Sequence, residues 1–237
     1  MTRLVLASLG VIALWPAASA QTPAILDHDP LARLEAALTA DPDNLRAGND
    51  YRIAIVRAAQ YDRALAFFAA LVAGHPGAAN AHMNYAFAYV DKIPAAGAIT
   101  RVILANNALN EFSRALELRP TWLGYYARGN SYLFWPRIFN RTRLGIADLE
   151  EAMRVQRADQ KHAYHVRTFI ALGDGYWKVS EVVKAKAMWR EGLKEFPGNA
   201  PLRARLAATG KQLAAIIGET YDPERRVDTN LDELWTK

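Results

Sequence analysis

The stretch FIALGDGYWKVSEVVKAKAMWREGLKEFPGN, residues 169–199, decides the fold. It reads as two antiparallel helices. Small side chains at Gly173 and Ala185 let the two backbones approach, while Tyr176 and Trp189 fill the space beside them. Pro197 then stops the second helix, because proline has no N–H to continue the ladder.

The same arrangement returns upstream. In residues 45–76 the second helix carries Ala64, Phe68 and Leu71 before Pro76, while the first has Arg52 where the later segment has a glycine. Residues 79–120 give Ala86 and Tyr89, then Ala108, Phe112, Ala115 and Pro120; residues 122–157 give Gly129 and Tyr132, then Gly145, Leu149 and Ala152, with Arg157 at the proline position. In residues 166–197 the set Leu172-Gly173, Tyr176, Ala185, Trp189, Gly192 and Pro197 falls at the spacing of a tetratricopeptide repeat, and the segment resembles that family. The resemblance implies an all-α fold: a right-handed superhelical solenoid of antiparallel helix pairs, capped at both ends. A cap helix is expected at 29–40, with Asp29 as N-cap, Pro30 in the first turn and Pro42 beyond its end, and a final helix at 200–218 carrying Leu202, Leu206, Leu213 and Ile217. For the polar tail, residues 219–237, two outcomes stay open: a free end, or docking through Leu231, Leu234 and Trp235.

The chain has 237 residues, 51% apolar and 22% charged, enough to bury a sizeable core. Arg3, the apolar run Leu4–Leu14 and Ala18-Ser19-Ala20 read as an export signal over residues 1–20, so a periplasmic or secreted location and no stable membrane insertion after cleavage are expected. There is no cysteine, hence neither disulfide nor lipid-anchored thiol. The formal net charge is +5, with the basic excess in the second half, which suits an acidic or anionic partner. No dense basic patch points to nucleic acid.

Two hairpins are interrupted. Tyr176 precedes Ala185 by nine positions, but Tyr89 precedes Ala108 by nineteen and Tyr132 precedes Gly145 by thirteen. Stacked repeats project corresponding turns from one edge, so the two inserts should be neighbours. The first, DKIPAAGAIT (91–100), holds Pro94 and Gly97, with Thr100 placed to cap a lengthened second helix. The second, FWPRIFNRTR (134–143), brings Phe134, Trp135 and Phe139 together with Arg137, Arg141 and Arg143. Leaving such aromatics in water costs about 1.5–3 kcal/mol each, so burial is expected, either on the solenoid or against a partner. Aromatic and arginine side chains dominate binding interfaces. Asn140-Arg141-Thr142 matches a glycosylation acceptor and is read as chance.

The resemblance further implies that first helices line a concave face. On it would lie Arg46, Asn49 and Arg57; Met83, Phe87 and Asp91; Tyr126, Asn130 and Phe134; and Arg167, Asp174, Trp177 and Lys178. That mixture suits an adaptor for a protein or peptide partner in the cell envelope, or else binding of a small anionic ligand or a transport-associated subunit for solute uptake. The family's clamp for a terminal carboxylate is matched only in scattered members such as Asn49 and Asn130 and is not carried over. His162 and His165, and His28 beside Asp27 and Asp29, do not assemble three metal ligands, and no metal or other cofactor is expected. Asp148, Glu150 and Glu151 read as a solvated helix face. Without a cysteine nucleophile, a nucleophile elbow or a phosphate loop, no enzyme is expected.

Overall fold

The computed structural model describes residues 29–235; the expected export signal and the cluster around His28 lie outside the described residues. Helix α1 (Pro30–Ala40) starts where Asp29 accepts the Leu31 N–H at 2.9 Å, with Pro30 in its first turn. Four helix pairs follow: α2 (Leu45–Ala58) with α3 (Tyr61–Gly74), α4 (Ala79–Lys92) with α5 (Ala98–Leu118), α6 (Trp122–Leu133) with α7 (Thr142–Arg157), and α8 (Val166–Lys178) with α9 (Val182–Glu195). Then come α10 (Ala200–Ala207) and α11 (Gly210–Thr220). Among the described residues there is no strand, and no helix is long and apolar enough to cross a membrane.

The pairs stack as a solenoid because each second helix packs on the next first helix, α3 on α4, α5 on α6 and α7 on α8, while α2 touches α4 and α6 touches α8. Small residues set the approach within pairs. A methyl group added at Gly173 would lie 2.2 Å from Nε1 of the fully buried Trp189, and one at Gly145 would lie 2.6 Å from the Gly129 carbonyl oxygen on the facing helix. Phe68, Phe112, Leu149 and Phe169 fill the spaces between successive layers.

Several expectations are corrected. Instead of one final helix over 200–218 there are two, broken at Ala208-Thr209; Leu202 and Leu213 still bury against the last pair. Helix α5 begins at Ala98 with Gly97 at its N-cap, so Thr100 lies inside the helix rather than capping it, and Asp91 and Lys92 belong to α4. Thr142 and Arg143, counted with the second insert, form the first turn of α7. Asp148 is not part of a solvated face: it is buried and receives two bonds from Arg128, at 2.7 and 2.8 Å. The turn entering α7 needs Asn140 at φ 51, a left-handed conformation that asparagine tolerates better than most residues.

Candidate binding groove

The tail docks across the first helices, α2, α4, α6 and α8. After α11 the chain turns back, and Leu231 is buried with Met83, Phe87 and Ala127. The groove grips the tail's main chain as well as its side chains. The Asn49 side-chain oxygen accepts the Leu231 N–H at 2.9 Å, and Nη2 of Arg52 donates to the Thr229 carbonyl at 3.1 Å. Further along, Arg167 pairs with Glu233 at 2.9 Å and the Arg46 guanidinium sits 5.6 Å from the Trp235 ring centre. The tail shapes itself to this path. Asp228 accepts the Asn230 N–H at 3.0 Å, and Asn230 accepts the Asp232 N–H at 2.9 Å, ahead of a 3-10 turn over Asp232–Leu234.

Arg52 organises this end of the groove. It is 1% exposed, donates to Asn84, Asp91 and Asn49 at 3.1 to 3.2 Å as well as to the tail, and lies over the Phe87 ring. A residue that occupies a glycine position of the repeat thus becomes a buried hub. Sequence reading missed it as a functional residue, although a lone cation where the pattern wants glycine was the available signal. Asp91 also accepts the Thr229 hydroxyl, so its carboxylate is already committed to Arg52 and the tail. Asp174 is likewise removed from the open face: it is 0% exposed and holds Arg205 through two bonds at 2.6 and 2.7 Å. Arg57 is exposed at the end of α2 and lines neither the groove nor its cavity.

Between the tail and the helices remains a cavity of about 640 Å³. Phe87, Tyr126, Asn130, Phe134, Trp135, Arg137, Arg167, Trp177 and Lys178, all selected from the sequence, contribute to its wall. Tail residues from Pro223 to Leu234 form the opposite side, and the two inserts contribute Ile93, Pro94 and Pro136. The second insert meets the lengthened α5, where Arg141 donates to Asn106 at 2.8 Å. The second insert buries its aromatics unequally. Trp135 is 6% exposed beneath the Arg141 guanidinium, 3.8 Å from its ring centre, and Phe134 packs edge-on to Tyr221. Phe139, expected to be buried, is 54% exposed, and Ile138 beside it is 87% exposed, because the turn of the insert folds Trp135 inward and leaves its tip outside. Arg143 pairs with Glu181 at 3.2 Å and Arg137 reaches Ser180 at 3.3 Å, tying the insert to the next hairpin's turn.

Electrostatics follow burial. The Lys178 ammonium is shifted below its usual range by burial and by the nearby Arg137 charge, although Asp174 opposes the shift. Burial raises the Glu233 carboxyl despite Arg167, and burial, reinforced by Asp174, raises the Tyr221 phenol well above normal. His162 and His165 are occupied by ring contacts, stacking on Tyr164 and packing against Trp122 respectively.

Solved structures share this architecture. The chain is similar to TTC0263, a thermophilic TPR protein of Thermus thermophilus, with 21% identity over 78% of this chain and 89% of that one and a TM-score of 0.56. It is similar also to YrrB, described as a TPR protein with an unusual peptide-binding site, at 15% identity, 85% and 88% coverage and a TM-score of 0.51. A third likeness is to a tetratricopeptide repeat protein of Parabacteroides merdae, at 17% identity, 81% and 68% coverage and a TM-score of 0.51. The chain has the tetratricopeptide-repeat fold. No family model and no curated protein matches its sequence.

Proposed function

We propose that this protein is an exported interaction scaffold that holds a non-helical segment of a protein or peptide partner against its concave face. One observation carries the reading. Asn49 and Arg52 satisfy a backbone N–H and a backbone C=O of the tail two residues apart, a recognition that does not depend on which side chains the bound segment carries. The chain's own tail therefore occupies the groove as a partner segment would, and a partner enters by replacing it. The fold it shares with YrrB, whose description includes peptide binding, supports the same reading. Export rests on the sequence of residues 1–20, and N-terminal sequencing of protein from the cell envelope should begin at Gln21.

The test uses the full chain with residues 228–235 replaced by a Gly/Ser segment, titrated with a synthetic peptide of the native 228–235 sequence. Saturable binding that falls at least fivefold in an Asn49→Ala background is the expected result. Absence of binding, or binding indifferent to Asn49, would overturn the proposal.

A further inference from the structure

The cavity beneath the tail has a charge pattern that the contacts within the chain do not explain. Its wall is mostly apolar, from Phe112, Leu123, Phe134, Ile217 and Leu231, and its volume of about 640 Å³ falls within the range of small-molecule sites. Five cations line it, and three are matched by carboxylates: Arg101 by Glu224 at 3.0 Å, Arg167 by Glu233 at 2.9 Å and Arg225 by Glu219 at 3.7 Å. Lys178 and Arg137 form no ion pair among the described residues. Lys178 donates to the Leu133 carbonyl and lies 4.7 Å from the Tyr221 ring centre, and Arg137 donates to the Ser180 hydroxyl. Asp174, whose charge reaches Lys178, is spent on Arg205. Asp228, on the tail side, accepts its bond from Asn230.

Lys178 is a partly buried ammonium without an ion pair beside an apolar volume, which an anion would stabilise, while Arg137 lines the same cavity from its exposed side. Both side chains line this one cavity, and the Arg137 charge reaches Lys178, though less strongly than that of Asp174. We infer that this cavity is a binding site for an amphiphilic organic carboxylate, with the carboxylate received by Lys178 and Arg137 and the apolar body lying along Phe134, Trp177, Phe112 and Leu231. Val102 gives the route: it lines the cavity and is 46% exposed at the outer edge, so the cavity reaches solvent on the insert side. Thr229 and Leu231, held by Arg52 and Asn49, form part of the cavity wall, so the site exists with the tail docked and requires no partner to replace it.

The test is titration of the full chain with sodium dodecanoate and dodecyltrimethylammonium below their micellar concentrations and with 1-dodecanol below its solubility, read by calorimetry and by tryptophan fluorescence, since Trp122, Trp135 and Trp177 all line the cavity. Dodecanoate should bind one to one and at least tenfold more tightly than the other two. Arg137→Gln should weaken dodecanoate alone, and Arg137→Met/Lys178→Met should bring the three probes within threefold of one another. Ala105→Trp, which fills the cavity from a half-buried wall position, should weaken all three. Equal affinity for the three probes, no binding of dodecanoate, or a dodecanoate preference that survives in the folded double variant would overturn the inference.

Discussion

At the scale of single residues, the buried ion pairs set the sharpest expectations. Asp174 and Arg205 join α8 to α10, and neither is open to water. Arg205→Ala strands a carboxylate in the interior, so urea unfolding should show a loss of about 3–5 kcal/mol, most of it recovered by Asp174→Leu/Arg205→Met, which removes both charges. His165 gives a pH dependence. Burial and the neighbouring His162 hold its imidazole below the ordinary value of 6.5, and its Nδ1 accepts the His162 N–H at 3.3 Å, a role open only to the neutral ring. In the unfolded chain the ring binds its proton at a higher pH, so the unfolded state takes up more protons below about pH 6.5 and stability falls on acidification through that range. The melting temperature should drop between about pH 7.5 and 5.5, and His165→Gln should flatten the drop. If the slope is unchanged in that variant, another group is responsible.

At the scale of elements, the sequence was legible wherever packing imposes a period. Gly173, Ala185 and Trp189 announced a helix pair because two backbones can meet only over small residues, and Asp29-Pro30 announced a helix start for reasons local to the first turn. The turns were less readable. Thr100 looked like a cap, yet α5 begins two residues earlier, since the preceding Ile93–Ala95 turn leaves Gly97 free to lead the helix. A side chain's capping tendency competes there with the geometry of the insert, which the sequence does not display. The break at Ala208-Thr209 was invisible for a related reason: apolar spacing continues across it while the axis changes. Turn strain also gives a prediction. Ala59 closes α2 at φ 52, a left-handed conformation that costs alanine about 1 kcal/mol and glycine almost nothing. Ala59→Gly should therefore stabilise the chain by roughly 0.5–1 kcal/mol, measured as a rise in the denaturation midpoint at unchanged slope.

At the scale of the whole molecule, the exposed apolar surface is unevenly distributed. Every exposed large apolar side chain among the described residues lies on the insert edge or at the start of a second helix beside it: Ile99, Val102 and Ile103 on α5, Ile138 and Phe139 at the insert tip, Leu144 on α7, Val182 and Val183 on α9. Exposed apolar side chains gathered on a few neighbouring elements are a candidate contact region. Ile138→Ser/Phe139→Ser should leave thermal stability within about 0.5 kcal/mol of the parent, because neither side chain is buried, and should reduce recovery of bound proteins in affinity capture. Equal recovery would assign the edge no role. How much of the candidate site was readable divides along the same line. Helical spacing placed Phe87, Tyr126, Asn130 and Trp177 on one face, but it could not show that Asp91 and Asp174 would be claimed by Arg52 and Arg205. Those partners sit on other helices, 39 and 31 residues away.

The docked tail has a consequence in time. Stacked repeats mature step by step from neighbouring contacts, yet Leu231 meets Asn49 across 182 positions of chain, a closure that must wait until every helix between them has been made. Until that moment Arg52, Asn49 and Asp91 stand as an open polar cleft in an otherwise finished first half. The nascent molecule therefore passes through an interval of vacancy, which ends when the tail takes its seat.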